Sequence, residues 1–237
     1  MRWQENVARR LLNSILLVVV VTFTSCIYVA DYTVSLNKVE RPADSKKPLG
    51  DIKVYDFLED SVTKYRFEDD YIVVYWYVDE TSFRFSLINK SGKTLKISWD
   101  DISYVDTEGQ VGRVMHSGVK YSERNNSQPS TTIPKGATLS DRLIPTDNIS
   151  YEEYAFFGES NWFETYLFPR ISESSEESVK ANAAKYAGKT MLILMPILIE
   201  NVQNEYLFTF QIGVDSIKRK AINTLKSNHK IKLHDEI

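Results

Sequence analysis

Cysteine is almost absent from this chain, since Cys26 is the only one among 237 residues. A disulfide within one chain needs two cysteines, so no disulfide framework holds this protein together. Histidine is also scarce, with three residues, and glycine and proline contribute only nine and seven. The stability of the fold must therefore come from a hydrophobic core.

The common catalytic motifs are also missing. The sequence holds no G-x-S-x-G nucleophile elbow, no H-E-x-x-H metal motif and no glycine-rich phosphate loop. His116 ends a predicted strand, and no catalytic partner is recognisable beside it. The acidic stretch 100–109 lacks the alternating oxygen ligands of a calcium loop. We therefore predict no catalytic residue, no metal ligand and no cofactor.

An excess of positive charge is lacking too. The chain has 29 lysines and arginines against 32 aspartates and glutamates, a formal net charge of −3. Nucleic-acid-binding domains show a basic surface instead. A nucleic-acid partner is therefore not expected.

The beginning of the chain follows the order of a secretory signal. Residues 1–10 carry three arginines against one glutamate, and residues 11–23 are mostly apolar. The next residues, FTSC, end at Cys26 and resemble the lipobox of bacterial prolipoproteins, in which small residues precede a cysteine that is acylated and becomes the new N-terminus. Phe23 departs from the aliphatic residue usual three places before that cysteine.

This resemblance implies that residues 1–25 are a signal peptide and that Cys26 is lipidated. The protein would then be anchored in the cell envelope of a Gram-negative bacterium and face the periplasm. Ile27 is not acidic, which by resemblance to enterobacterial sorting favours the outer membrane over the inner. An uncleaved membrane helix over residues 11–30 is the alternative. Removing residues 1–25 takes away three arginines and one glutamate, and leaves 26 basic against 31 acidic residues, a net charge of −5.

The rest of the chain divides into a linker and one domain. Residues 26–50 have mixed polarity and two prolines, so we predict a lipidated tether, with a strand near residues 28–34 as the alternative. Residues 51–237 have the length of a single all-β domain with a C-terminal helix and tail.

Apolar runs and alternating patterns predict a mainly β domain. Residues 71–78 suit a strand buried on both faces, and one hairpin is expected across residues 89–92 and another across 108–110. The strongest apolar pair is 189–201 with 205–214, where Pro196 predicts an edge strand or a bulge. We predict an immunoglobulin-like Greek-key β-sandwich, with a closed barrel as the alternative.

Two helices are expected to accompany the strands. Residues 172–189 have serine caps, early acids and a glycine stop, which predict one inserted surface helix. Residues 216–228 have apolar residues at helical spacing, which predicts a short C-terminal helix. The basic residues of this tail could contact anionic lipid near a membrane; they are Lys218, Arg219, Lys220, Lys226, Lys230 and Lys232.

The segment 151–168 is unusually aromatic, with acids between the rings. Such rings form interface anchors or platforms for sugars. The candidate interface residues are Tyr154, Phe156, Phe157, Trp162, Phe163 and Tyr166. The alternative is that these rings close one end of the sandwich.

Taken whole, the chain resembles, loosely, the uncharacterised envelope lipoproteins that carry an immunoglobulin-like sandwich. We therefore predict a non-enzymatic binding or scaffolding module, held at the membrane by the lipid on Cys26, with an envelope protein or polymer as its partner. The alternatives are a hydrolase of envelope glycan and a carrier of an apolar ligand.

The lipid anchor gives the first testable prediction. Replacing Cys26 by alanine removes the acylated thiol, so labelled lipid should no longer be incorporated and the protein should leave the membrane fraction. Mass spectrometry of the native protein should show a lipidated N-terminal cysteine. An intact start methionine or a free thiol at Cys26 would refute the anchor.

Overall fold

The computed structural model describes residues 26–41, 49–60, 62–154, 159–221 and 230–232. The predicted signal peptide lies outside these residues. None of the described residues belongs to a helix long and apolar enough to cross a membrane.

The described residues form sixteen strands, one α-helix and three short 3-10 turns. The strands are β1 (Cys26–Glu40), β2 (Lys53–Glu59), β3 (Val62–Glu68), β4 (Ile72–Val78), β5 (Phe83–Asn89), β6 (Leu95–Ile97), β7 (Ser103–Val105), β8 (Val111–His116), β9 (Thr131–Ile133), β10 (Thr138–Pro145), β11 (Ile149–Tyr154), β12 (Glu159–Thr165), β13 (Ser172–Glu173), β14 (Thr190–Ile199), β15 (Val202–Ala221) and β16 (Lys230–Lys232). The helix is α1 (Glu176–Ala183), and the 3-10 turns are Trp99–Asp101, Tyr121–Glu123 and Thr146–Asn148.

Thirteen strands build one antiparallel sheet. Their order is β13-β1-β15-β14-β7-β8-β10-β5-β4-β3-β2, with β6 beside β14 and β9 beside β6. The sheet curls so that its two halves pack face to face, while β11, β12 and β16 form a separate small sheet. The mainly β prediction is confirmed. The finer prediction of an immunoglobulin-like Greek key is not, because the two layers are halves of one continuous curled sheet.

Aromatic side chains fill the space between the two halves. The Trp76 ring of β4 lies 4.9 Å from the Phe208 ring of β15 and 5.3 Å from that of Phe210, measured between centroids. Phe67 and Phe83 extend these contacts on either side, at 5.6 Å from Phe208 and 5.1 Å from Phe210. The alternation along β5 and β15 turns Phe83, Phe208 and Phe210 inward, and all five rings are fully buried.

The predicted hairpin across residues 89–92 is wrong. Strand β5 pairs with β4 and β10, whereas β6 pairs with β14 and β9. The turn carries the chain from one half of the sheet to the other, and the buried Asn89 amide fixes the crossing by donating to the Lys93 and Ile133 carbonyls at 2.6 and 3.0 Å. Alternation fixes which face a strand buries but not its partner. The hairpins β7–β8 and β14–β15 are confirmed.

Pro196 is accommodated by a break in the neighbouring ladder. Strand β14 lies inside the sheet, so the edge-strand alternative is wrong. On one side β7 pairs with Leu192–Leu194 and β6 with Ile197–Ile199, and the 3-10 turn Trp99–Asp101 separates these two partners. No described strand pairs with Pro196 on this side, so no backbone hydrogen bond is required there. The missing N–H of Pro196 therefore has little effect on the stability of the sheet.

The predicted tether is wrong over most of its length. Residues Cys26–Glu40 form strand β1, which makes fourteen residue pairs with β15. Ala30, Leu36 and Val39 are buried in this pairing. Two bulges in the β1–β15 ladder shift the alternation of apolar and polar residues along β1. The sequence therefore shows no regular strand pattern in this segment.

The inserted helix is confirmed and the C-terminal helix is not. Helix α1 begins after Ser175, whose hydroxyl accepts from the Ser178 amide at 3.3 Å, and it buries Val179 and Ala183 against Ala30. Strand β15 instead continues to Ala221, so the C-terminal helix expected from residue 216 is wrong over residues 216–221, because β1 pairs with β15 from Leu207 to Ala221. The remainder of that predicted helix lies outside the described residues.

The inter-half aromatic contacts predict a large cost for one truncation. Phe208→Ala should lower the free energy of unfolding by about 3 to 5 kcal/mol, because it opens a cavity among fully buried rings. Val202→Ala, on the same strand but 57% exposed, should change it by less than about 0.5 kcal/mol. Urea titration of both variants measures the difference. Equal effects would show that these rings do not carry the fold.

Candidate functional site

A cleft of about 580 Å³ opens beside the β7–β8 turn. Its other walls are the segment that leads into β11 and the loop that follows β12. This volume falls in the range of small-molecule sites. Its aromatic and polar lining includes Tyr104, Asp106, Thr107, Gln110, Asp147, Tyr166, Phe168, Arg170 and Tyr186.

Four aromatic rings line this cleft. Tyr104 and Phe168 are buried at its base, whereas Tyr166 and Tyr186 remain half-buried. The Phe168 ring lies 6.5 Å from that of Tyr186 and packs edge-on against Tyr32 of β1 at 5.1 Å. A ligand in the cleft would therefore meet ring surface on more than one side.

Arg170 holds these rings together. Its guanidinium carbon lies 5.3 Å from the centre of the Tyr166 ring and 5.7 Å from the centres of both Phe168 and Tyr32. Cation–π attraction of this kind is stronger when the cation is partly desolvated. An ion pair with Glu80 at 2.6 Å fixes the guanidinium from outside. Arg170 and Phe168 also line a second cleft of about 300 Å³ that includes Tyr32, so they form a wall between the two.

Two tyrosines of the cleft, Tyr104 and Tyr166, have a raised pKa and stay protonated at neutral pH. Burial raises the pKa of Tyr104, and the nearby carboxylate of Asp106 adds to the effect. Burial and the Glu80 charge raise the pKa of Tyr166, while Arg170 opposes them. The Tyr104 hydroxyl is buried and donates to the Leu167 carbonyl at 3.5 Å, so only the half-buried Tyr166 offers a neutral hydroxyl of this pair to a ligand.

Polar side chains form the rim. Asp106 Oδ1 accepts from the backbone amides of Glu108 and Gln110, both at 2.8 Å, and so shapes the β7–β8 turn. Glu108, which lines the cleft, forms an ion pair with Lys189. Asp147 is exposed and has no hydrogen-bond partner among the described residues. The rim thus offers at least one unoccupied acceptor next to the rings.

The arrangement of carboxylates does not favour hydrolysis. A general acid needs a carboxyl group in a dry, apolar pocket. Glu108 and Asp147 are exposed, and Asp106 already serves the turn amides. Within the part of the chain that the structure describes, no group of three potential metal ligands comes together.

A buried ion-pair cluster holds the cleft loop in place. Glu164 is 1% exposed and immediately precedes Thr165, the first residue of the loop wall. It pairs with Arg142 of β10, and it accepts from the hydroxyls of Tyr121 at 3.0 Å and Thr81 at 2.6 Å. Burial and this carboxylate raise the pKa of Tyr121 to about 12. The cluster ties the small sheet to the outer face of the large one.

The structure separates the six predicted interface residues. Tyr166 lines the cleft, whereas Phe163 is buried and Trp162 packs on the outer face between Tyr121 and Tyr151. Phe156 and Phe157 lie outside the described residues, and of Tyr154 only its backbone place at the end of β11 is described. The residue predicted to carry the lipid, Cys26, is the first residue of β1 and is half-buried.

His116 is held in a structural network. Its ring stacks on Trp99 at 4.0 Å between centroids, and its Nδ1 lies 3.1 Å from Asp141 Oδ2. Burial acts to raise the pKa of Asp141, but hydrogen bonds from His116 and from the Ser117 amide, at 2.8 Å, hold it below its usual value. Ser117 contributes its backbone amide to this network, which is a turn-forming role.

Comparison with known proteins adds no family or function. No family model matches the chain, and no curated protein is similar to it. Among solved structures, the X-ray structure of a Northeast Structural Genomics Consortium target, SoR45, shares 12% identity, covering 86% of this chain and 96% of that chain, at a TM-score of 0.22. A likeness at that score carries no argument about fold or function.

Most residues of the cleft were missed by sequence reasoning. Tyr104, Arg170 and Tyr186 come from three distant segments that only the curled sheet brings together. The one available signal was the aromatic segment 151–168, which led to Tyr166. Arg170, two residues past its end, carried no pattern that would single it out.

The Glu164 cluster predicts a stability effect. Glu164→Gln leaves the Arg142 guanidinium without its charge partner in a buried site, so the free energy of unfolding should fall by about 3 kcal/mol. Glu153→Gln makes the same chemical change at an exposed position of β11 and should have almost no effect. Urea denaturation at pH 7 compares the two variants. A Glu164→Gln protein as stable as the wild type would contradict the role of the cluster.

Proposed function

We propose that this protein is a lipid-anchored module of the bacterial envelope that binds a glycan-bearing envelope polymer in the aromatic cleft and does not cleave it. The observation that carries the proposal is the combination, in one open cleft, of half-buried tyrosine rings and a polar rim. The outer membrane is the favoured location.

A sugar ring has two requirements that this cleft meets. Its C–H face packs well on an aromatic ring, and Tyr166 and Tyr186 offer such surfaces. Its hydroxyl groups need hydrogen-bond partners, and Asp147, Gln110 and Thr107 stand at the rim. An open cleft, rather than a closed cavity, also suits a segment within a long polymer.

The anchor proposed from the sequence fits the position of β1. A lipid on Cys26 would join the sheet directly, without a tether, because the strand begins at that residue. The exposed residues Lys218, Arg219 and Lys220 of β15 pair with residues 27–29, next to the anchor. Near an anionic bilayer each such charge contributes about 1 kcal/mol of attraction.

This geometry would keep the cleft close to the membrane. Tyr32, which packs against Phe168 in the cleft wall, lies six positions after Cys26. At about 3.3 Å per residue along a strand, the separation is about 20 Å. The ligand is therefore expected in the layer next to the membrane.

The two alternative functions find less support. A glycan hydrolase would use two of the three cleft carboxylates, but these are exposed or already hydrogen-bonded. A carrier of an apolar ligand would need room between the two halves of the sheet, where Phe67, Trp76 and Phe208 are packed against one another. The immunoglobulin-like Greek-key topology remains a prediction, and the proposed function does not depend on it.

The cleft proposal predicts a binding defect. Tyr166→Ala should weaken the binding of soluble envelope-glycan fragments to the full chain at least tenfold, because it removes a central stacking ring. Tyr166→Phe should keep most of the affinity, and Tyr151→Ala, an exposed ring outside the cleft, should keep all of it. Calorimetry measures the affinities, and thermal melts check that each variant is folded.

The same samples separate binding from catalysis. Glycan fragments recovered after long incubation should keep their length. Shortened fragments would favour the hydrolase, and unchanged affinity of a folded Tyr166→Ala protein would refute the cleft as the binding site.

A further inference from the structure

Strand β2 is a free edge of the sheet among the described residues. It pairs with β3 on one side, and no described strand covers its other side. Leu58 is 73% exposed, Tyr55 45% and Val54 37%. A free edge with exposed apolar side chains is a template for another strand. We propose that β2 pairs antiparallel with β2 of a second copy of this chain.

Symmetry limits the registers that this pairing can take. A two-fold axis perpendicular to the sheet places directly opposite residues on the same face, so it joins positions of equal parity. All seven residues of β2 find a partner only when the axis passes through Asp56. In that register Lys53 lies opposite Glu59 of the second copy, Val54 opposite Leu58, and Tyr55 opposite Phe57.

The side chains match in this register. The strand reads KVYDFLE, so reversal places a positive residue opposite a negative one at both ends and apolar residues opposite apolar ones between them. Opposite-charge and aromatic cross-strand pairs of this kind stabilise antiparallel strands. Phe57 already packs edge-on against Tyr75 at 5.8 Å, so the new aromatic pairs would extend an existing layer.

Asp56 is the mismatch at the centre. It lies opposite itself across the two-fold axis, and like charges in that position disfavour pairing. Within its own chain it lies opposite Tyr65 of β3 and has no ion-pair partner among the described residues. The centre therefore weakens a contact that the rest of the strand favours.

The terminal charges remain available for the second copy. Glu59 forms an ion pair with Lys64 of β3, but both side chains are partly exposed, and such pairs contribute little. Lys53 lies opposite Glu68, which already pairs with Arg66 and Lys90. New pairs to the second copy therefore displace no strong interaction.

The size of the contact indicates a weak dimer. A stable protein–protein interface uses roughly 20 to 30 residues from each partner. The proposed contact uses only the seven residues of β2 from each copy. If the proposed lipid anchor holds both copies in one membrane, their effective concentration rises and favours the dimer. That last step rests on the proposed function, whereas the pairing itself does not.

Charge exchange tests the register. Lys53→Glu alone, or Glu59→Lys alone, places like charges opposite each other twice in each dimer and should weaken self-association about tenfold. An equimolar mixture of the two variants should restore it, because the glutamates of one chain then face the lysines of the other. Sedimentation equilibrium of the full chain in detergent measures association without requiring the anchor.

The central repulsion has its own matched control. Asp56→Asn should strengthen association by about three- to fivefold. Asp60→Asn removes the same charge in the β2–β3 turn, where the positive φ of 51° suits asparagine, and it should leave association unchanged. Equal effects of the two variants would show that net charge, rather than the register, controls association.

Disulfide trapping tests the pairing in the membrane of an expression host. Asp56→Cys should form a disulfide-linked dimer, because the two sulfur atoms meet at the two-fold axis. Val202→Cys, exposed at the β14–β15 turn, should not, and the wild-type chain controls for Cys26. A mixture of charge variants that fails to recover association, or Asp56→Cys that links only to a different protein, would overturn the proposal.

Discussion

The packing of aromatic rings between the two halves of the sheet is the interaction on which the rest of the structure depends. A twisted sheet of thirteen strands tends to curl, but its two halves stay closed against each other only if they share a hydrophobic core. The contacts of Trp76 with Phe208 and Phe210 supply it. Because the chain has a single cysteine, no intrachain disulfide can substitute for this packing.

The cleft is a consequence of that curl. Tyr104 comes from a short strand in the middle of the sheet, Tyr186 from the segment after the helix, and Arg170 from the loop beside β1. Their separation in sequence is large, so only the closure of the sheet brings them together. The loop that carries Tyr166 and Arg170 is then held at both ends, by the Glu164 ion pair before it and by the Ala30–Ile171 backbone hydrogen bond of 3.1 Å after it. A rigid aromatic wall binds with a smaller loss of conformational entropy than a mobile one.

Sequence reasoning succeeded where a pattern is local and failed where a strand chooses its partner. The alternation in β5 and β15 predicted which rings face the core, and Ser175 with Gly188 predicted the inserted helix. The turn at residues 89–92 has hairpin chemistry, yet the flanking strands belong to opposite halves, because alternation is the same for every possible partner. Ile217 and its neighbours have helical spacing, yet they extend β15, since pairing with β1 satisfies their backbone groups. Tyr166 was found because its segment is rich in rings, whereas Arg170 depends on contacts that no spacing encodes.

The position of β1 changes what a lipid on Cys26 would do. A flexible tether of about 24 residues would let the domain move and rotate some 25 to 30 Å from the bilayer. If Cys26 carries the proposed lipid, a strand that starts at that residue would remove this freedom, because the orientation of the sheet would follow the orientation of its first residues. The basic residues of β15 lie beside those residues and would add a second contact with an anionic surface. Together, the proposed anchor and this basic patch would restrict the direction in which both the cleft and the free edge of β2 face. The proposed ligand and the proposed second copy would then each be approached in one orientation. The same chain on a long tether would have to select these orientations at every encounter.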